Sequence, residues 1–227
     1  MVHVQEVLER MKICVIIPAY NEAGNILKLI DEVRKHPLDI LVIDDGSSDG
    51  TFNIVKNAGV QCMLNLENQG KGASLSKGFK YAVDNNYDAV ITMDADGQHL
   101  PQDLHLFTEL AKNPDVQIII GNRMGNVCNM PAVRVWTNKF MSWMISKISG
   151  QKIPDSQCGY RLIKKEVLKS VSLKTSKYET ESEILIKSSR LGFRIESIPV
   201  KSVYGKEKSS INPFIDTLRF IRLIMRG

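Results

Sequence analysis

Short apolar runs alternate with longer amphipathic segments over the first 120 residues. The runs have the length of buried strands, and they fall at residues 13–17, 40–43, 60–64, 89–93 and 116–120. The segments between them repeat apolar residues at helical spacing and predict helices at 22–35, 51–57, 72–85 and 101–112. Asn21 is the expected cap of the first helix, and Pro101 opens the last. Strands that alternate with helices predict βαβ units, hence an α/β fold with a mainly parallel sheet.

The pattern is less regular after residue 120. Residues 133–148 predict a helix that carries Trp136, Phe140, Trp143, Met144 and Ile148 on one side. Residues 213–225, which follow a cap at Asn212, predict a second amphipathic helix. Between them we expect strands near 160–163 and 193–198 and a helix at 179–190. The length of 227 residues favours one domain, and no apolar run approaches the roughly 18 residues of a transmembrane helix.

Asp94 and Asp96 come directly after the fourth predicted strand. Ligands of open α/β sheets bind beyond the carboxyl ends of the strands. Alternate carboxylates at such a position can converge on one hard cation, and the amide oxygen of Gln98 is within reach of the same ion. The pattern predicts a Mg²⁺ or Mn²⁺ site, although two solvated acids in a turn would look the same.

Two further segments at predicted strand or helix ends have candidate chemistry. Asp44 and Asp45 follow the second strand, where a carboxylate can accept a hydrogen bond from a nucleobase or a ribose hydroxyl. Residues 68–72 combine two glycines with Lys71 before a helix, which suits a phosphate, although a flexible loop explains them equally well. The spacing is not that of a P-loop, so an ATPase of that class is disfavoured.

Charge is divided unevenly along the chain. Residues 1–120 contain 10 basic and 17 acidic side chains, whereas residues 121–227 contain 20 basic and 8 acidic ones. Residues 121–150 contain Arg123, Arg134, Lys139 and Lys147 and no acid. This division indicates an anionic partner for the second half, such as phosphates, a membrane surface or a nucleic acid, or else a solvated basic face.

Seven motifs, taken together, resemble those of the family 2 glycosyltransferases. In chain order they are IPAYNEAGNI, LVIDDGSSDGT, NQGKGASL, MDADGQHLPQDL, GNRM, SQCGYRLIKKEVL and YETESEILIKSSRLGFRIESIPV. The resemblance extends over residues 12 to about 208. The resemblance implies the GT-A fold, a Rossmann-like nucleotide-sugar domain. It is strongest to the polyprenyl-phosphate and dolichyl-phosphate hexosyltransferases of the dolichyl-phosphate mannose synthase type. We therefore expect residues 1–120 to bind the nucleotide sugar and residues 121–227 to bind the acceptor and contact the membrane.

The resemblance also implies roles for individual residues. The nucleotide would be bound by Pro18, Tyr20, Glu22, Asp44, Asp45, Lys71 and Asp94, and by Lys206 and Lys208 in a loop that closes over the donor. Asp94, Asp96 and Gln98 would hold the metal, with Asp96, Arg123, Asp155 and Glu181 as the catalytic set. The acceptor phosphate would meet Arg123, Arg134, Lys139 and Arg161.

The acceptor decides whether the reaction needs a base. A sugar hydroxyl must lose a proton, and Asp155 is then the first base to test. A lipid monophosphate is already anionic and needs cations instead, which the acid-free segment 121–150 supplies. We therefore favour an inverting, metal-dependent transfer of a hexose from GDP-mannose or UDP-glucose to a polyprenyl phosphate. Transfer to a sugar hydroxyl and a non-catalytic nucleotide-sugar or membrane-binding module are the alternatives.

The location expected from the sequence is the cytoplasmic face of a membrane. Four scattered cysteines without a C-x-x-C pair suggest a reducing compartment and no zinc site. The tryptophan-rich helix at 133–148 favours contact with a membrane interface, and the alternative is that it caps the core or a dimer interface. No nucleic-acid-binding module is recognisable, so nucleic acid is not an expected partner, and the oligomeric state is open.

Overall fold

The structure is a computed structural model, and it describes residues 11–125, 127, 130–177 and 179–202. Its seven strands are β1 (Ile13–Ala19), β2 (Asp39–Asp44), β3 (Gln61–Leu64), β4 (Ala89–Thr92), β5 (Ile118–Asn122), β6 (Arg161–Lys164) and β7 (Ile195–Pro199). Central strand β1 is buried almost throughout because both of its faces are covered. This explains the continuous apolar run by which the sequence predicts it.

Helices cover the sheet. They are α1 (Ile26–Val33), α2 (Thr51–Asn57), α3 (Lys71–Asp84), α4 (Leu104–Ala111), α5 (Ala132–Ser149), α6 (Lys165–Ser170) and α7 (Glu179–Arg190). A 3₁₀ turn at Pro101–Asp103 precedes α4. The predicted helices at 51–57 and 179–190 are confirmed at both ends, whereas α6 was not predicted. The helix expected at 213–225 lies outside the described residues.

The strand order is β3-β2-β1-β4-β6-β5-β7. Strand β6 pairs antiparallel with both β4 and β5, and the other described pairings are parallel. The predicted mainly parallel α/β sheet is therefore confirmed. Because β6 runs the opposite way, its first residues lie at the edge where the parallel strands end. That edge contains the candidate site.

Asn21 does not cap the first helix. Its φ of 56° is left-handed, and its side-chain oxygen accepts a hydrogen bond from the Ser48 amide at 2.9 Å. Helix α1 begins only at Ile26, after a turn in which the amides of Asn25 and Ile26 donate to the Glu22 carbonyl. Asn21 therefore joins the ends of β1 and β2, which brings residues 20–22 beside the turn after Asp44.

Helix α5 docks on the segment before β6 through small polar side chains. The Ser156 amide donates to the Ser142 hydroxyl, and the Ile153 amide donates to the Ser146 hydroxyl, both at 2.9 Å. Ile145 is fully buried, and Met144 and Ile148 pack against the core. The predicted apolar side of this helix is therefore only partly buried: Met144 and Ile148 pack against the core, whereas the two tryptophans are exposed. In the described residues, no helix is both long and apolar enough to cross a membrane.

Candidate active site

One edge of the sheet gathers most of the candidate residues. Strands β1, β2, β4 and β5 end there at Ala19, Asp44, Thr92 and Asn122, and antiparallel β6 begins there at Arg161. The Thr92 hydroxyl donates to the Gly159 carbonyl at 2.6 Å, which joins the end of β4 to the segment before β6. The topology therefore brings together turns from three distant parts of the sequence.

Lys71 lies at the centre of this edge, between two carboxylates. Its Nζ is 2.5 Å from Asp94 Oδ1 and 2.7 Å from Glu181 Oε1. Burial opposes the charge on Lys71, but Asp94 and then Glu181 outweigh it and raise the pKa of the ammonium. Burial likewise opposes the charge on Asp94, yet Lys71 and then His99 hold the pKa of that carboxyl well below its usual range. Lys71 and Asp94 are therefore both charged at neutral pH.

Gly159 contacts this ion pair directly. A Cβ at residue 159 would lie 2.7 Å from Asp94 Oδ2 and 2.8 Å from Lys71 Nζ. Such distances are shorter than real Cβ contacts, so any other residue here would have to push the ends of the Asp94 and Lys71 side chains away. The sequence places Gly159 inside the CGYR motif, but nothing local indicates what it touches.

Asp96 and His99 complete the turn after β4. The Gln98 amide donates to Asp96 Oδ1 at 2.9 Å, which fixes the carboxylate at the start of the turn. Burial, and then the charge of Asp94, raise the pKa of Asp96. His99 is buried, with its Nε2 3.5 Å from Asp94 Oδ2. Asp94 and Asp96 thus repel each other electrostatically, as expected of two neighbouring carboxylates.

The donor set suits a hard divalent cation that shares its coordination with a substrate. In the part of the chain that the structure describes, no three acidic, histidine or cysteine side chains form a complete metal site. Mg²⁺ is commonly held by one or two carboxylates together with water and substrate phosphates. Asp94, Asp96 and the Gln98 side chain would supply that partial set. The residues therefore fit such an ion when water or a phosphate-bearing ligand completes its coordination.

Asp45 organises the loop that leads into α3. Its carboxylate accepts hydrogen bonds from the Asn65 side chain at 2.7 Å and from the amides of Gln69 at 3.1 Å and Gly70 at 2.8 Å. The Ala73 amide, in the first turn of α3, donates to the Ser176 carbonyl at 3.0 Å. The Gln69 and Gly70 amides thus bind protein oxygens in this conformation, and the phosphate contact suggested for residues 68–72 stays a prediction. The Lys71 side chain still faces the site.

The other predicted nucleotide residues surround the turn after β2. Asp44 is buried, and its Oδ1 accepts a hydrogen bond from the Ser47 amide at 2.8 Å. The Glu22 amide donates to the Thr51 hydroxyl at 2.9 Å, and Tyr20 is 48% exposed at the end of β1. Pro18 pairs in register with Ile43 of β2. An exposed aromatic ring beside buried carboxylates is suited to a nucleoside, and this role stays a prediction.

Arg123 and Asp155 form a bidentate ion pair beside the same segment. Arg123 Nε and Nη2 donate to the two Asp155 oxygens at 2.8 and 2.9 Å, and the Arg123 amide donates at 3.1 Å. Asp155 is 0% exposed. A base must reach the proton that it accepts. In this conformation both Asp155 oxygens accept hydrogen bonds from Arg123, which favours a positioning role over that of a base, and the catalytic role of Asp155 stays a prediction.

Arg161 is not placed to bind an acceptor phosphate. It is 2% exposed, and its guanidinium donates to the carbonyls of Cys158, Ser156 and Glu181 at 2.5 to 2.7 Å. A buried guanidinium that donates to backbone carbonyls holds segments together. Arg161 therefore joins the segment before β6 to the start of α7, and its predicted role is corrected to a structural one.

The remaining cations lie on α5 or beyond the described residues. Lys139 is exposed on α5 and Arg134 is partly buried there. The same helix exposes Trp136, Phe140 and Trp143 by 76, 52 and 58%. The predicted acceptor contacts of Arg134 and Lys139 stay predictions. Lys206 and Lys208 lie outside the described residues.

Comparison with known proteins identifies the family. The model for glycosyl transferase family 2 matches residues 14–172. The chain belongs to glycosyl transferase family 2. It is therefore a glycosyltransferase, and the alternative of a non-catalytic binding module is wrong.

Characterised relatives extend this comparison over most of the chain. The UDP-N-acetylglucosamine–dolichyl-phosphate N-acetylglucosaminyltransferase of Methanococcus voltae is 32% identical, with 94% of this chain and 95% of that protein covered. The undecaprenyl-phosphate mannosyltransferase of Micrococcus luteus is 29% identical, with 88% of each covered. Both names combine a sugar with a polyprenyl-type phosphate.

Solved structures support the fold. Glucosyl-3-phosphoglycerate synthase from Mycobacterium tuberculosis, crystallised with Mn²⁺, UDP and phosphoglyceric acid, superimposes with a TM-score of 0.76. It is 17% identical, and the match covers 100% of this chain and 82% of that one. At this identity the likeness concerns the fold, and the expected GT-A architecture is confirmed.

Proposed function

We propose that this glycosyltransferase moves a hexose from a nucleotide diphosphate sugar to a polyprenyl phosphate at a membrane surface. The observation that carries the proposal is the segment Asp155–Gly159, which binds Arg123 at one end and contacts Asp94 and Lys71 at the other. This segment thus links Arg123, a cation suited to an acceptor phosphate, to Asp94, a carboxylate suited to the metal on the donor diphosphate. The names of the relatives favour the same acceptor class.

Each group has a defined part in this reaction. Asp94, Asp96 and Gln98 would hold a divalent cation, which stabilises the negative charge of the departing diphosphate as a Lewis acid. An oxygen of the acceptor phosphate forms a bond to the anomeric carbon while the bond from that carbon to the diphosphate breaks. The nucleoside diphosphate leaves with the electron pair, and the configuration of the carbon inverts.

The acceptor phosphate needs orientation and charge neutralisation rather than a base. Arg123 has its planar guanidinium fixed by Asp155, so little entropy is lost when it meets a phosphate. Both Asp155 oxygens already accept hydrogen bonds from Arg123, which disfavours the alternative in which Asp155 deprotonates a sugar hydroxyl.

Helix α5 is the part of the chain that we assign to the membrane. Exposed Trp136, Phe140 and Trp143 share a side, and Lys139 and Lys147 are exposed on the same helix. Tryptophan suits the headgroup boundary, and basic residues are attracted to the anionic cytoplasmic leaflet. We therefore place the enzyme as a peripheral protein on the cytoplasmic face.

The direct test is a transfer assay. The protein is incubated with short-chain polyprenyl phosphate, Mg²⁺ or Mn²⁺, and radiolabelled GDP-mannose, UDP-glucose or UDP-N-acetylglucosamine in separate reactions. We expect one donor to give labelled sugar in the chloroform-extractable phase, with loss of product when EDTA is added. Label that stays water-soluble with every donor contradicts the lipid acceptor, and full activity in EDTA contradicts the metal.

A further inference from the structure

Lys71 lies against the Asp94 oxygen that the proposed cation would use. Its Nζ is 2.5 Å from Asp94 Oδ1, and both side chains are partly exposed at the same edge. An ammonium and a divalent cation compete when they are offered one carboxylate oxygen, because each neutralises the charge that attracts the other. Lys71 thus stands where it must affect the binding of a cation to Asp94.

The backbone of Lys71 is firmly held. A Cβ on Gly70 would lie 2.7 Å from the Ser176 carbonyl oxygen, and a Cβ on Gly72 would collide with the Thr180 hydroxyl. The start of α3 is therefore packed directly on the segment that leads into α7. Only the flexible side chain of Lys71 is left to change partner, and its second partner, Glu181, is already 2.7 Å away.

Glu181 is fixed as firmly as the lysine backbone. Its side chain is nearly buried, and the Arg161 guanidinium donates to its carbonyl at 2.5 Å. Within the described part of the chain, its carboxylate forms an ion pair with Lys71. A buried carboxylate in this place offers the ammonium a site that does not depend on Asp94.

We propose that Lys71 is a built-in competitor for the divalent cation at Asp94, and that Glu181 is the positioning residue that takes Lys71 when the cation binds. The inference rests on the proposed function, since it assumes a cation at Asp94. In the absence of donor, Lys71 neutralises Asp94 and keeps the two carboxylates of the turn from repelling each other fully. When the cation arrives, Lys71 gives up Asp94 and keeps its contact with Glu181 alone, and the pair of Lys71 and Glu181 adds no net charge beside the ion.

The proposal makes opposite predictions for the two residues. Lys71→Met removes the competitor, so Mn²⁺ should bind the nucleotide-free protein at least about fivefold more tightly than it binds the wild type. Glu181→Gln leaves Lys71 with Asp94 alone, so Mn²⁺ should bind at least about fivefold more weakly. Free Mn²⁺ is counted by electron paramagnetic resonance, which requires no turnover.

The double variant separates this role from direct coordination. If Glu181 acts through Lys71, then Glu181→Gln should change the Mn²⁺ affinity by less than about twofold in a Lys71→Met background. Lys80→Met, on the exposed side of the same helix, and Glu109→Gln, on α4, are the matched charge controls. Thermal unfolding by circular dichroism verifies each fold, and Lys71→Gln replaces Lys71→Met should the latter not fold.

The outcomes distinguish this inference from the proposed function. If the wild type binds Mn²⁺ and Lys71→Met binds it equally or more weakly, the competitor role is overturned while the proposed metal dependence stands. An equal loss from Glu181→Gln in both backgrounds overturns the positioning role, because Glu181 would then act on the ion directly. Failure of the wild type to bind Mn²⁺ with UDP and with GDP contradicts the proposed metal dependence itself.

Discussion

Gly159 approaches Asp94 so closely that a single added methyl group would lie 2.7 and 2.8 Å from its two carboxylate oxygens. Two features bring these residues together. Strand β6 pairs antiparallel with β4, so that Thr92 lies opposite Arg161, and the Thr92 hydroxyl fixes the Gly159 carbonyl. The position of Asp94 in the site therefore depends on the Gly159 backbone, which approaches this closely because glycine has no side chain.

Gly159→Ala should damage activity far more than stability. The methyl group must push Asp94 and Lys71 apart, and a displacement of about 1 Å at a reacting site costs about 10²-fold in rate. The strain of overpacking costs about 1–3 kcal/mol of unfolding free energy. Steady-state transfer assays and urea unfolding measure the two effects.

Gly125→Ala is the matched control for that substitution. Among the described residues, a Cβ on Gly125 would meet no atom within 4 Å, and its φ is not left-handed. We expect rates close to wild type from this variant. A Gly159→Ala enzyme that is as active as Gly125→Ala would show that Asp94 tolerates displacement, which contradicts its assigned place.

Asp155→Asn tests whether the buried carboxylate positions Arg123 or accepts a proton. Loss of the charge weakens the hold on Arg123 and breaks a buried ion pair, at a cost of about 3 kcal/mol in stability. We expect a higher KM for the polyprenyl phosphate and a kcat within about tenfold of wild type. A general base would instead lower kcat by about 10²–10⁴-fold and remove the acidic limb of the pH profile.

Asp84→Asn, in the exposed pair with Lys80, is the control for this charge change. Its kinetic constants should match the wild type. A large fall in kcat confined to Asp155→Asn, without a change in KM, would return Asp155 to the role of base and favour a sugar hydroxyl as the acceptor.

The sequence predicts the first half of the fold well because the signals there are local. Helix α2 begins where expected, since Asp49 accepts hydrogen bonds from the Thr51 amide and hydroxyl, only two residues away. Strand β1 is recognisable because a strand covered on both faces is apolar at every position. The position of Asp94 follows from the end of β4, which is equally local.

The arrangement of the site depends instead on contacts between distant residues. The antiparallel direction of β6 depends on its pairing with β4 and β5, which no short segment encodes. In the sequence, Arg161 cannot be told from a surface arginine, but its hydrogen bonds to three backbone carbonyls make it part of the core. Likewise, the contact of Lys71 with Glu181 joins the starts of α3 and α7 and is invisible in either motif alone.

Glu183 should make stability depend on pH. It is buried on α7, and its carboxylate accepts hydrogen bonds from the Lys174 and Thr175 amides and from the Thr175 hydroxyl at 2.6 to 3.1 Å, with Lys187 at 2.5 Å. Burial opposes its charge, but Lys187 and Thr175 outweigh it and lower its pKa from 4.5. Stabilisation from a lowered pKa is complete above 4.5 and is lost as the pH falls through the value of the folded protein.

Glu183→Gln should therefore lower the unfolding free energy by about 1–3 kcal/mol at pH 7. The gap between wild type and variant should shrink as the pH falls below 4.5, because the wild type alone loses this contribution. Guanidinium unfolding at a series of pH values measures the gap, and Glu109→Gln, in an exposed pair on α4, should leave no pH-dependent gap. A constant gap across the series would contradict the assigned ionisation.

The double variant Trp136→Ser, Trp143→Ser should weaken binding to membranes while it leaves the fold intact. The two side chains are 76 and 58% exposed, so the folded protein loses little packing from their removal. Burial of a large apolar side chain stabilises by about 1.5–3 kcal/mol, so the partition onto anionic vesicles should fall at least about tenfold. Binding is measured by cosedimentation with phosphatidylserine vesicles.

Leu191→Ser, at another exposed apolar side chain, is the control and should bind like the wild type. The residual binding of the double variant should weaken further with added salt, because the α5 cations still attract the anionic surface. Equal cosedimentation of the double variant and the wild type would instead exclude this side of α5 from the membrane contact.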